Sequence, residues 1–193
     1  MLPKTCEMPD LSGLESIIPG LMTSLLGFRG HRLTEKEKKY YRVFLRLVNK
    51  AHKNYQEARE AIITYLHNRE YVLIIPFDFV DYIENCLNAV RRLYGVLENV
   101  KREKRGGLTT DRTQFKIINQ YFEETKKIRD VIEHLDEFIQ KDILEGPIIL
   151  TISEDDKHVG IGEHSIGFDE LAKVILMFYE IGRAWQEDFV GQK

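Results

Sequence analysis

From Thr34 onward, apolar side chains return every three or four residues: Tyr41, Phe44, Val48, Ala51, Tyr55, Ala58, Ile62 and Tyr65. A seam with this period is the core face of an amphipathic helix. Its start is marked by Thr34 and Glu37, whose spacing lets each side chain satisfy the other's backbone N–H at the helix end. The pattern predicts one helix of about 35 residues. Sustained heptads also suit a coiled-coil dimer, but tyrosines and alanines along the seam favour packing inside a bundle.

Pro76 marks a new start, because proline cannot continue a helix from the preceding turn and restricts the residue before it. A second helix carries Phe79 or Val80, Ile83, Leu87, Val90, Tyr94 and Leu97 on one face and is predicted to end near Arg105. A Gly-Thr linker leads to a third, over 113–141, with Ile117, Tyr121, Ile128, Ile132, Leu135 and Ile139 as its core side. After Gly146-Pro147 the period changes. Residues 148–153 are rich in β-branched side chains, 154–157 read as a polar turn, and 158–162 return as a second strand, which predicts a small hairpin. The last helix starts around Phe168 with Leu171, Val174, Ile175, Phe178, Ile181, Trp185 and Phe189 as its stripe, and Gly182 allows close approach of a neighbour.

Short connections between long amphipathic helices favour antiparallel neighbours. The expected fold is therefore all-α: an up-and-down bundle of four main helices with a small β-hairpin before the last one, spanning residues 31–193. Residues 1–30 hold Pro3, Pro9, Pro19 and several glycines. They form a weakly ordered N-terminal segment in this reading, with a short helix over Leu21–Leu26.

Composition narrows the function classes. The chain has 193 residues, a net charge of −3 and two cysteines. The balance argues against a dedicated DNA-coating protein, and two cysteines give no disulfide framework. Cys86 falls on an apolar stripe and is expected as a reduced core residue, whereas Cys6 lies in the loosely patterned terminus. The longest apolar stretches, 14–28 and 71–80, are interrupted by proline, glycine and aspartate, which predicts no membrane span. No secretory signal is expected either, and the address predicted is cytoplasmic. The basic run Lys101-Arg102-Glu103-Lys104-Arg105 before Gly106-Gly107 has the composition of a helix C-terminus.

Two further motifs fail on spacing. Gly160-Ile161-Gly162 lies between a strand and a helix, but the place where a dinucleotide fingerprint needs its third glycine is Ser165. His158 and His164 are too far apart for a local metal pair, and the acidic turn at 154–156 lacks the glycine and distal glutamate of a calcium loop. No cofactor and no metal are expected. His52 and His67 are read as surface or boundary residues, and Trp185 as core.

What remains is Arg129-Asp130-Val131-Ile132-Glu133-His134-Leu135-Asp136-Glu137 on the third helix. An arginine, a polar residue directly after it and a histidine four intervening residues later resemble the motif of the HEPN superfamily. That resemblance implies a helical bundle that dimerises with both motif copies lining one cleft. Active members are metal-independent endoribonucleases of defence or toxin-antitoxin systems, while others serve as noncatalytic binding modules. It makes Arg129, His134 and Asp130 the candidate catalytic residues, RNA a candidate ligand, and a second copy, an antitoxin or a nucleotidyltransferase the candidate partners. Spacing alone is a weak discriminator, since Arg46 and His52 on the first helix, with five intervening residues, also fall within the motif's range of four to six. Asp130 beside Arg129 and the acidic run around the histidine set the second pair apart.

On an ideal helix, positions five apart lie roughly 140° around the axis. One straight helix therefore cannot bring Arg129 and His134 onto one phosphate. Either a local distortion or a twofold dimer is required. In such an assembly the imidazole would take the proton of the RNA 2′-hydroxyl, and the guanidinium would stabilise the phosphorane. Asp130, four residues before His134, would orient the imidazole. The alternative is a solvated, salt-bridged helix face, built from Arg129–Glu133, Lys126–Asp130 and Asp130–His134 pairs, on a noncatalytic helical-bundle interaction module.

Overall fold

In the computed structural model, which describes residues 4–25, 33–68, 76–103, 107–143 and 145–190, the long seam forms one helix, α2 (Glu35–Asn68). All eight seam residues named above are buried. The capping box is present: Thr34 N donates to Glu37 Oε2 at 2.8 Å and Glu37 N to Thr34 Oγ1 at 3.3 Å. Glu37 does more than cap. Its other oxygen accepts Gly107 N at 2.5 Å, so a buried carboxylate ties the start of α2 to a distant loop. Burial alone would push its pKa up, but the hydrogen bonds from Thr34, Gly107 and Leu108 outweigh it and hold the carboxyl below its usual value.

α3 (Phe77–Arg102) begins directly after Pro76 and ends at Glu103. Lys104 and Arg105, where the sequence places the helix end, lie outside the described residues. α4 (Arg112–Glu133) is capped by Asp111, whose carboxylate accepts Thr113 N and Gln114 N. α6 (Phe168–Val190) closes the fold. α2 packs on α3, α3 on α4, α4 on α6, and α6 back on α2. Phe44, Phe178 and Trp185 meet in the centre, with ring centroids 6.1 Å and 4.4 Å from Phe44. A Cβ placed on Gly182 would lie 3.2 Å from Leu45 Cδ2, so the glycine does permit the close approach of α6 to α2. The side chain of Phe189, the last member of the predicted stripe, is outside the described set.

Three expectations need correction. The third helix is not continuous over 113–141: it stops at Glu133 and resumes as α5 (Leu135–Gln140), with His134 at φ −115° and ψ 24° between them. Its buried row is Ile118, Phe122, Thr125, Ile128 and Val131, one position over from much of the predicted one. Thr125 explains the misplacement, because its hydroxyl donates to Tyr121 O and lets a polar residue sit in the core. Leu135 and Phe138 pack partly against the core, while Ile139 stays 52% exposed.

The hairpin is also larger than expected. β1 (Thr151–Ile152), β2 (His158–Ile161) and β3 (His164–Gly167) form a three-stranded antiparallel sheet in that order. β3 is hard to read because Glu163, His164 and Ser165 are polar and only Ile166 carries a large apolar side chain inward. The two glycines at its hairpin have separate tasks. Gly162 takes φ 59° in the two-residue loop between Ile161 and His164. Gly160 has no room for a side chain, since a Cβ would come within 2.4 Å of His164 O.

The N-terminal segment lies along the bundle in its described part, with α1 (Ile18–Leu25) starting three residues before the predicted short helix. Leu26, the predicted end, is outside the described residues. Met8 and Ile17 are buried, and Cys6 is partly buried rather than free of the core. The weak period thus conceals a set of individual contacts. Among the described residues, no helix is long and apolar enough to cross a membrane.

Candidate functional site

Arg129 and His134 occupy different backbone environments within six residues. Arg129 sits on the last full turns of α4, its side chain 24% exposed, whereas His134 is at the break with a side chain 53% exposed. The helix interruption needs neither glycine nor proline. His134 N still donates to Asp130 O at 3.1 Å, closing α4, and Phe138 N donates to His134 O at 3.0 Å, opening α5. His134 therefore ends one helix and begins the next.

The guanidinium of Arg129 is clasped from two sides. Nη1 donates to Asp130 Oδ1 at 3.2 Å and Nη2 to Glu133. Its Nε is buried and has no hydrogen-bond partner among the described residues. Of the three i,i+4 pairs expected on this face, Arg129–Glu133 forms. Asp130 spends its carboxylate on Arg129, and its described link to His134 is through the backbone. The imidazole instead has Glu137 Oε1 at 3.4 Å from Nδ1. Two carboxylates on one guanidinium leave the cluster net negative, which opposes the approach of a phosphate to Arg129.

Behind this corner, α3 and α4 are joined by an aromatic stack that the periodicity does not reveal. Tyr94 and Phe122 rings lie 3.6 Å apart at 9°, and the Tyr94 hydroxyl donates to Asn119 Oδ1 at 2.6 Å. Arg91 Cζ stands 5.6 Å from the Phe122 centroid, and its Nε is the other buried side-chain nitrogen without a partner among the described residues. The signal available in sequence was Arg91 itself, one turn from Tyr94 on a helix face otherwise apolar, but nothing local announces which helix covers it.

The remaining candidates resolve into structural roles. Arg46 is exposed on α2, while His52 Nε2 sits 2.9 Å from Leu11 O and ties down the N-terminal segment. His158 and Asp155 belong to the β1–β2 turn, where Ser153 Oγ bridges Asp155 Oδ1 at 2.5 Å and His158 N at 2.9 Å. That serine–aspartate–histidine set closes a turn, because the Ser153 hydroxyl donates to Asp155 and not to the imidazole, whose Nδ1 lies 3.3 Å from the same carboxylate oxygen. Asp155 is held down to about 2 by the Ser153 hydroxyl and the Lys157 N–H. Cys86 is fully buried, which pushes its thiol well above the usual range. Among the described residues, no group of three His, Cys, Asp or Glu side chains converges to hold a metal ion. No family model matches the chain, and neither a curated protein nor a solved structure matches it.

Proposed function

We propose that the protein is a HEPN-like helical interaction module that pairs with a second copy of itself through the α5 corner. One observation carries this reading. Four of the seven exposed large apolar side chains among the described residues, Ile139, Ile143, Ile148 and Ile149, fall within α5 and the loop after it, each about half exposed. Such a concentration beside an otherwise charged helix is what an association surface requires. The charges next to it suit a twofold contact. In this reading, an antiparallel meeting of two α4–α5 corners would set each copy's Lys126 against the other's Asp136, while Lys127 and Glu137 pair within their own chain with Glu124 and Lys141. Light scattering at micromolar concentration tests this: a dimer is expected for the wild type and a monomer for Ile139→Asp/Ile143→Asp. A monomeric wild type overturns it.

A second reading, a metal-independent endoribonuclease using Arg129 and His134 with Asp130 as their neighbour, is favoured by the helix break at His134. A continuous helix holds the two side chains on opposite shoulders, and convergence needs a distortion at this point of the chain. Against it stand the two carboxylates that occupy Arg129. Incubation with total RNA in EDTA separates the readings. Cleavage abolished by both Arg129→Ala and His134→Ala supports the enzyme; cleavage that survives them, or none in the wild type, leaves the interaction module alone. An antitoxin or nucleotidyltransferase partner belongs with either reading and would be sought by co-purification.

A further inference from the structure

We infer that the cleft between the end of α3 and the start of α4 binds a small phosphate monoester with a flat or apolar body. This is independent of the α4–α5 corner and shares no residue with it. The cleft has a volume of about 770 Å³, within the range that holds small-molecule ligands. Its walls are of two kinds. Val100, Leu108 and Phe115 give an apolar floor, with Leu108 only 5% exposed. Lys101 and Arg112 stand at the rim, one from each helix.

The charge balance of this cleft is opposite to that of the Arg129 corner. Lys101 Nζ lies 4.1 Å from the Phe115 ring centroid, and neither it nor Arg112 has a carboxylate partner among the described residues. Among the described lining residues the acidic group is Glu103, which is neutralised by Lys36. Asp111 does not compete for the two cations, since its carboxylate is turned to the backbone of Thr113 and Gln114. Two unneutralised cations beside an apolar floor are the recognition elements for a phosphate attached to a poorly hydrated body.

The wall formed by residues 107–110 is held in advance of any ligand. Glu37 binds Gly107 N, and Trp185 Nε1 donates to Thr109 O at 2.6 Å. Thr109 and Thr110 line the same cleft. A preorganised wall lowers the ordering cost of binding. The basic run that the sequence offers as a mere helix end thus begins with a lysine placed over an aromatic ring at the mouth of a cleft.

The probe is adenosine 5′-monophosphate, titrated into the full chain by calorimetry and by amide shifts, with adenosine and inorganic phosphate as controls. Saturable binding below about millimolar concentration is expected, with shifts at Lys101, Thr109, Thr110 and Arg112. Adenosine and phosphate each bind about tenfold more weakly or worse. Lys101→Gln and Arg112→Gln are exposed changes that leave the fold intact, and each weakens the monophosphate about tenfold while leaving adenosine unchanged. No saturable binding, shifts confined to other parts of the molecule, affinity unmoved in the double variant, or adenosine binding as tightly as the monophosphate overturns the inference. Inorganic phosphate matching the monophosphate overturns the role of the apolar floor.

Discussion

α2 and the N-terminal segment that runs over it are held in different ways. α2 is fixed by a row of apolar side chains buried along its length, from Tyr41 to Tyr65. The segment over 4–17 buries Met8 and Ile17 as isolated anchors and is otherwise fixed by separate polar contacts. Lys4 N and Thr5 N donate to Asp156, Arg59 Nε to Met8 O, Leu11 N to Gln56, and Gln186 Nε2 to Ile17 O. Apolar burial is non-directional and shared among many neighbours, so its loss is felt by the whole fold. A polar contact is local, and its loss should release only what it holds.

The sharpest test of that contrast is Phe44→Ala. Phe44 is fully buried against Phe178 and Trp185, so truncation should cost about 3–5 kcal/mol and lower the melting temperature of the entire chain. Ile139→Ala, on the exposed corner, should stay within about 0.5 kcal/mol in the monomer. Chemical denaturation of both variants checks this. Comparable losses would mean that the α5 corner is part of the core in solution.

Asp156→Ala should come next, at about 2–3 kcal/mol, from lost hydrogen bonds and from placing alanine at a positive φ. Asp156 is 6% exposed, adopts φ 59°, and accepts Lys4 N at 2.9 Å, Thr5 N at 2.8 Å and Thr5 Oγ1 at 3.1 Å. Hydrogen exchange should speed at residues 4–8 and in the β1–β2 turn while α2 keeps its protection. Uniform loss of protection would show that the segment and the bundle unfold as one. Glu37→Ala is expected to be milder, about 1–2 kcal/mol, because it removes one cap and one loop anchor. Its mark is faster exchange at Gly107 and at the first turn of α2; unchanged exchange at Gly107 would deny the cross-tie.

These differences explain which parts of the molecule are legible in sequence. The α2, α3 and α6 stripes repeat a period many times, so a single exception cannot hide them. α4 is harder because Ile117 and Ile118, and Tyr121 and Phe122, offer two adjacent apolar rows, and the choice between them turns on Thr125 satisfying its own hydroxyl. The break at His134 has no glycine or proline to announce it. β3 has one large inward apolar residue, too few for a period of two. The candidate motif is legible as residues but not as chemistry: which carboxylate takes Arg129 depends on side-chain reach along the helix, and Asp130 reaches its neighbour. The α3–α4 cleft, lined from both ends of a long loop, has no contiguous signature at all.

The smallest effect expected concerns Asp10, an exposed carboxylate in the N-terminal segment. The Ser12 N–H foremost, then Gln56 and the Ser12 hydroxyl, hold its pKa down from 3.8 to about 2, with Arg59 adding a weaker pull. A folded value below the unfolded one means that the anchor supports the folded segment fully above pH 3.8 and is lost as pH falls toward 2. The Gln56 side-chain amide, 3.1 Å from Asp10 Oδ1, reports it directly. In an acid titration followed by NMR, the Ser12 and Gln56 amides should shift together with a midpoint well below 3.8, while α2 core signals stay fixed; Asp10→Asn should abolish the transition. A midpoint at or above 3.8 would mean that Asp10 makes no such contacts in solution, and that this stretch of the segment is held by Met8, Ile17 and the bonds to His52, Arg59 and Gln186.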